Sequence, residues 1–314
     1  MNGLELSRAY FEAYGRPMLE RDFPELLPFL AAGLLGRGSE CFGFDDALSR
    51  DHDFEPGFCL FLPGEDRIDR RQEFLLERAY AKLPREFEGL RRAVLQPTGG
   101  ARHGALRTAE FFTKLVGTAD GALSLEQWLS LPEQALAEAT NGELFAPGDG
   151  LFAAIREKLL SPPRDVRLKR LAGRLLLMAQ SGQYNYQRCL KHGETGAAQL
   201  AVGEFVKNTL SAVFLLNRAY MPYYKWSFRA LKALPGGEDL GRSLEWLLTT
   251  DNGETIAEDK YFCMEGIASQ VIDLLQEQGL TGATCGDLEK HAYSVNDGIK
   301  DGEVRNLHIL YCVE

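Results

Sequence analysis

The sequence lacks several of the features that usually decide a class. It has six cysteines (Cys41, Cys59, Cys189, Cys263, Cys285 and Cys312), and none shows the paired spacing of a zinc site or the density of a disulfide framework. They stand mostly in apolar surroundings, where free thiols pack as small hydrophobes. No apolar run approaches the ~20 residues that a membrane helix needs. The start, MNGLELSRAYFEAYGRPM, is charged and amphipathic rather than basic and then apolar, so no secretory leader is expected there. Basic residues are outnumbered: 35 Lys and Arg against 45 Asp and Glu, a net charge of −10. That balance argues against a broad, non-specific grip on nucleic acid. It does not exclude a small phosphorylated ligand, which a local cluster can hold. No internal repeat or low-complexity segment stands out. Together these absences lead us to expect a soluble, cytoplasmic protein with no membrane partner.

What is present is a chain of 314 residues, 45% of them apolar, enough for a sizeable core and about two domains. The periodicity predicts an amphipathic helix over 4–20 and a second helix opened by Pro24. That second segment, LLPFLAAGLLG, ends in glycines, and part of it reads as a strand running into a turn. DHDFEPGFCLFLP reads as a strand stopped by Pro63-Gly64. Residues 66–83 are helical in period, QPTGGARHG is a loop, and ALRTAEFF is a strand end that becomes a helix. Further helices are expected at 123–139 and 151–160. SPPRD at 161–165 is punctuation, with Pro163 suited to a first helical turn. The pattern beyond it is helical to about 233, then again in RSLEWLLTT and over 255–279. The tail LHILYCV suits a short strand or an apolar docking segment. The organisation is thus a mixed α/β first half and an all-helical second half, divided near 145–163.

The stretch with the most chemistry is LLGRGSECFGFDDALSRDHDFEPGFCLFLP, Leu34 to Pro63. It gathers Asp45, Asp46, Asp51, Asp53 and Glu55 beside an apolar strand. On a strand, residues two apart share a face, so Asp51 and Asp53 are expected to project together, away from His52. Two like charges on one face are costly to bury, and a divalent cation relieves that cost. Mg²⁺ favours one or two carboxylates with phosphate oxygens and water. Ahead of the pair, Gly36, Gly38 and Ser39 form a turn whose amides and hydroxyl suit a phosphate. A phosphate cradle beside a metal-binding carboxylate pair is the equipment of phosphoryl or nucleotidyl transfer. Each element alone is commonplace; their order and spacing make the case.

Gly38-Ser39, an eleven-residue gap and then Asp51-x-Asp53 resembles the signature of the DNA polymerase β-like nucleotidyltransferase superfamily. GSECFGFDDALSRDHDF, AQSGQYNYQRCL and FLLNRAYMPYYKW more closely resemble a bacterial nucleotidyltransferase-like family described only as a domain of unknown function. The likeness runs from the first helix to about residue 235, and kanamycin nucleotidyltransferase is more remotely similar. The resemblance implies an α+β fold: a small mixed β-sheet nucleotidyltransferase domain at 1–150, then an all-helical C-terminal domain at 151–314. It also implies that the Gly38-Ser39 turn holds a nucleoside triphosphate and that Asp51 and Asp53 bind two Mg²⁺ ions. A third carboxylate on a neighbouring strand completes such sites, and Glu110 in ALRTAEFF is the candidate. A solvated acid at a helix start fits Glu110 as well.

Around this centre, Arg37 and Arg50 are placed to offset Glu40 and to steady the triphosphate, or else to form surface ion pairs of little energetic value. In the helical half, Lys207, Arg218, Tyr220 and Lys225 are candidates to reach phosphates. Tyr186, Tyr223 and Trp226 are candidates to stack on a ring, the alternative being an aromatic core with satisfied polar tips. His52-Asp53 also invites a metal phosphohydrolase, which needs further helix-borne His and Asp ligands. His103, His192, His291 and His308 sit in no such pattern. Arg188-x3-His192 is spaced too tightly for the ribonuclease motif that it resembles. The leading expectation is an Mg²⁺-dependent nucleotidyltransferase acting on an unknown acceptor, a small alcohol or amine in keeping with the acidic chain. The alternatives are a catalytically weak or inactive nucleotide-binding or regulatory module, and a toxin–antitoxin-type enzyme that modifies a protein or tRNA. A tRNA acceptor would require a basic surface stripe.

Overall fold

The computed structural model describes residues 1–46, 55–92 and 103–313. Helix α1 (Gly3–Tyr10) starts at a reciprocal cap: the Asn2 side chain accepts the Glu5 amide, and the Glu5 carboxylate accepts the Asn2 amide. It continues through a π-helical segment, Phe11–Gly15, into α2 (Arg16–Asp22). The helix expected over 4–20 is therefore present, with one widened turn inside it. Gly15 lies in that turn, against the ring of Phe58, where a Cβ would approach to 2.4 Å.

Pro24 does not open a helix. The chain turns, makes one 3₁₀ turn at Leu27–Phe29 and forms strand β1 (Ala31–Leu34). All four strand residues are buried, and a short apolar run between two other strands is the usual signature of a central strand. Strand β2 (Cys59–Leu62) is likewise buried throughout. Helix α3 (Arg70–Ala81) follows it, with an Asp69–Gln72 capping box. A two-stranded hairpin, β3 (Glu86–Phe87) and β4 (Leu90–Arg91), turns through Glu88 and Gly89, both at positive φ as a tight hairpin requires. Strand β5 (Gly104–Arg107) runs directly into α4 (Thr108–Val116). The helix expected over 123–139 is split by Pro132 into α5 (Leu125–Ser130) and α6 (Glu133–Thr140). Strand β6 (Glu143–Pro147) and α7 (Leu151–Leu159) complete this part.

The sheet order is β5-β2-β1-β6. β1 is antiparallel to β2 and β6, and β2 is parallel to β5. On β2, Leu60 and Leu62 pack in the core with Tyr10, Phe11, Leu76 and Tyr80. Phe61 points the other way, with its ring 5.1 Å from Phe111 and 4.3 Å from Phe152. Both faces of the sheet are thus covered by helices.

The remaining helices are α8 (Arg164–Met178), α9 (Tyr186–Lys191), α10 (Thr195–Leu216), α11 (Tyr224–Leu231), α12 (Gly237–Thr249), α13 (Glu254–Glu277), α14 (Leu288–Asp297) and α15 (Gly302–Asn306). A second π-helical segment, Ala179–Asn185, joins α8 to α9. Buried Lys169 on α8 ties down the C-terminal elements, donating to Asn296 and to the carbonyls of Arg305 and Leu307. The tail is a docking segment rather than a strand. Its turns press Ile309 and Val313 against Gly173, where a Cβ would come within 3.0 Å of both.

By contacts the chain forms two units, Met1–Leu123 with Ala135–Ser161 and Ser124–Gln134 with Pro162–Glu314. Helix α7 belongs to the first and α5 to the second. The architecture is a mixed α/β region followed by a helical region. Among the described residues, no helix is long and apolar enough to cross a membrane. All six cysteines are free thiols.

Candidate functional site

Strand directions decide which loops meet. Gly33 of β1 pairs with Cys59 of antiparallel β2, and Cys59 pairs with Gly104 of parallel β5. The C-terminal end of β1 and the starts of β2 and β5 therefore share one end of the sheet. Three pieces of chain lie there: the turn after β1 carrying Gly36, Gly38 and Ser39, the Glu55–Phe58 approach to β2, and His103 ahead of β5. Arg50, Asp51 and Asp53 lie outside the described residues.

The turn is held from several sides. Asn141 grips Gly36 twice: its Oδ1 accepts the Gly36 amide at 2.9 Å, and its Nδ2 donates to the Gly36 carbonyl at 2.7 Å. Gly36 and Gly38 have φ of 108° and 117°, which side chains rarely adopt. Ser39 leads into a 3₁₀ turn, Glu40–Phe42, against which the start of α1 packs so closely that a Cβ on Gly3 would come within 2.3 Å of the Glu40 side chain. Asp45 adds a bond, accepting the Gly3 amide at 2.8 Å. Arg37 donates to Glu138 at 3.1 Å while its side chain stays 67% exposed, so the guanidinium keeps a face to water. Among the described residues, neither the amides of Gly38 and Ser39 nor the Ser39 hydroxyl has a hydrogen-bond acceptor. Amides and a hydroxyl held in a rigid turn are suited to phosphate oxygens.

Glu55 and His103 face each other beside this turn's end of the sheet. His103 Nδ1 is 3.4 Å from Glu55 Oε1, and both side chains are largely buried. The geometry is not a hydrogen bond, and among the described residues His103 Nδ1 has no hydrogen-bond partner. Gly57 makes the approach possible: a Cβ there would lie 2.5 Å from Nδ1. No local signal pairs His103 with Glu55, because the parallel pairing of β2 with β5 creates the neighbourhood. Asn141 escapes sequence reading for the same reason, being 105 positions from Gly36.

The opposite end of the sheet is closed. Buried Arg107 donates through Nε and Nη2 to Glu73, and through Nη1 to the carbonyls of Pro63 and Ile68. Glu110 lies past this end, exposed in the first turn of α4. Its charged neighbour is Arg70, at the start of α3. The strand directions thus start α4, with Glu110 in its first turn, from the end of the sheet opposite the Gly38-Ser39 turn, while the ring of the next residue, Phe111, reaches back to within 3.3 Å of a Cβ built on Gly36.

The other candidates belong to the second unit. Lys207 is exposed on α10, 3.8 Å from Glu204. Arg218 is exposed at the end of α10 with φ 54°, in the left-handed conformation that closes helices and usually falls to glycine. Lys225 sits 4.9 Å from the Trp226 ring centre. Tyr186 is fully buried, with its hydroxyl between Asn252 Oδ1 and the Ala257 carbonyl, so it packs rather than stacks on a ligand. Burial pushes its phenol up to about 12, and pushes Tyr220 up as well.

The donors at the turn's end of the sheet, a carboxylate and a serine hydroxyl, are hard oxygens of the kind Mg²⁺ prefers. Among the described residues alone, no group of three His, Cys, Asp or Glu side chains is arranged to hold a metal ion. The family model described as "Domain of unknown function (DUF4037)" matches residues 128–227, about a third of the chain and mostly within the second unit. No curated protein and no solved structure matches the chain.

Proposed function

We propose that the chain is an Mg²⁺-dependent nucleotidyltransferase that moves a nucleoside monophosphate from a nucleoside triphosphate to a small acceptor. The observation that carries this reading is the meeting of two features at one end of the sheet. One is a rigid turn with unclaimed amides and a hydroxyl at Gly38-Ser39. The other is the approach to β2, where Glu55 stands two residues after Asp53. The resemblance of Gly38-Ser39…Asp51-x-Asp53 to the polymerase β-like superfamily supports it.

In this reading the turn, with Arg37 and Arg50, holds the triphosphate. Asp51 and Asp53 hold Mg²⁺, which when bound neutralises phosphate charge. The acceptor oxygen bonds to the α-phosphorus as the bond to the β-phosphate oxygen breaks, releasing pyrophosphate, and a carboxylate takes the hydroxyl proton. Glu55 is better placed for that last role than Glu110, since it shares the end of the sheet with the turn.

The position of Glu110 favours one other reading, a nucleotide-binding module without efficient transfer. A thermal shift with ATP, GTP, CTP and UTP, each with and without Mg²⁺, tests for the triphosphate site. A ligand at about 100 times its dissociation constant stabilises by roughly 2.7 kcal/mol. We expect an Mg²⁺-dependent shift with at least one nucleotide, lost in Asp51→Asn/Asp53→Asn. Wild-type-like shifts in the double variant would remove the transferase reading and leave the binding module; no shift with any nucleotide would remove both. Product formation in an acceptor screen with the selected nucleotide then separates transfer from binding alone.

A further inference from the structure

Charge is distributed unevenly along this acidic chain. From 205 to 237 there is no Asp or Glu, while Lys207, Arg218, Lys225, Arg229 and Lys232 all fall in that stretch. The last three are four and three residues apart at α11 and its C-cap, so they share one helix face. All three are exposed. Trp226 organises two of them: Lys225 Nζ is 4.9 Å and the Arg229 guanidinium 5.4 Å from its ring centre. Holding long cationic chains against an indole reduces the side-chain entropy lost when they bind.

At the start of the helix, the N-cap Tyr223 and the first residue Tyr224 are 42% and 73% exposed, with ring centres 4.3 Å apart. Large aromatic side chains left in water beside a row of cations need an explanation that core packing does not supply.

We propose that Tyr223, Tyr224 and the Lys225–Arg229–Lys232 face of α11 form a docking surface for single-stranded nucleic acid, a role independent of the transferase reading. The chemistry selects this occupant. Cations spaced along one face meet backbone phosphates, and exposed rings stack on unpaired bases, the combination by which single strands are held without sequence preference. An acidic peptide would answer the cations and leave both tyrosines in water. A membrane would need a free apolar helix face, but Ser227 and Leu231 of α11 are buried in the protein. A duplex keeps its bases stacked away from the rings. The net charge of −10 limits non-specific binding elsewhere on the chain, so binding at this face is expected to be local.

The test is fluorescence anisotropy of a labelled oligouridylate with the full chain. It is run first at about 50 mM salt and then through a salt titration, where each phosphate contact contributes about 0.7 to the log–log slope. Three proteins are compared: wild type, Lys225→Glu/Arg229→Glu/Lys232→Glu and Tyr223→Ala/Tyr224→Ala. Duplex RNA, polyglutamate and phosphatidylserine vesicles serve as competitors. We expect wild type to bind, the charge reversal to abolish binding and the tyrosine variant to bind roughly tenfold more weakly at an unchanged salt slope. All these substitutions are on the surface, and circular dichroism checks the fold. The proposal is overturned if wild type does not bind at low salt or if the charge reversal binds as wild type does. It is equally overturned if the tyrosine variant keeps full affinity, or if polyglutamate, vesicles or duplex compete as well as the single strand.

Discussion

Two stretches of this chain are opposites. Between 40 and 55 the sequence carries Glu40, Asp45, Asp46, Asp51, Asp53 and Glu55 against Arg50 alone; between 205 and 237 it carries five cations and no acid. The first belongs to the sheet-bearing unit and the second to the helical unit. The acidic stretch precedes buried β2 in sequence, and of its described acids Glu40, Asp45 and Glu55 are part-buried, where charge is costly unless something neutralises it. The basic stretch lies largely on helix surfaces, where charge is solvated and costs little. The same excess of one sign therefore means different things: beside a buried strand it points to a cation, and on an exposed helix beside bare aromatic rings it points to an anion.

The largest effect is expected where the acidic side is anchored. Phe58 is fully buried at the approach to β2, with ring centres of Phe11 at 5.1 Å and Tyr80 at 5.0 Å. Phe58→Ala should cost about 3–5 kcal/mol, read as a lowered denaturation midpoint. A loss below about 1 kcal/mol would mean that this end of the sheet does not depend on the aromatic cluster. Next comes the nucleotide site: Asp51→Asn/Asp53→Asn should erase a stabilisation of roughly 2.7 kcal/mol at saturating nucleotide and Mg²⁺ while leaving the free protein folded.

Tyr186 gives a smaller effect in the helical unit. Tyr186→Phe should cost about 1 kcal/mol at neutral pH through the lost hydroxyl bonds. Its phenol is raised from the usual value near 10 to about 12. Below pH 10 the group is neutral in both states and its contribution is fully present. From pH 10 towards 12 the unfolded phenol ionises while the folded one does not, so the wild type loses stability over that window and the variant lacks this component. Denaturation curves that stay parallel for the two proteins from pH 9 to 12 would refute the assignment. The smallest effect is on the basic face: Lys225→Glu/Arg229→Glu/Lys232→Glu should leave the melting temperature nearly unchanged, within about 0.5 kcal/mol in stability. A large drop would mean that these cations serve the fold rather than a partner.

Much of the helical half was legible in advance, because long apolar periodicities with clear stops need only local physics. α8 begins after Pro163 and α13 covers Glu254–Glu277, close to the 255–279 expected. The strands were harder. β1 is four small apolar residues, which period alone assigns as readily to a helix as to a strand. β6 is a short edge strand in NGELFAPGDG with only one buried residue, Phe145, and nothing local marks it. Of the candidate site, Gly36, Gly38 and Ser39 could be read directly as a turn. Their clamp by Asn141 and the meeting of Glu55 with His103 could not, since each joins residues far apart in sequence.

By itself the sequence determined the class: a mixed α/β first half, a helical second half, a glycine-serine turn after an apolar segment, and charge of opposite sign gathered in two stretches. These follow from local propensity and composition, which act within a few residues. The tertiary structure decided which ends of the sheet hold which groups. Antiparallel pairing of β1 with β2 and parallel pairing of β2 with β5 bring the turn, Glu55 and His103 to one end and start α4, with Glu110 in its first turn, from the other. Strand direction is fixed by pairing between distant segments, whose free energy lies in burying both faces of the sheet rather than in any local motif.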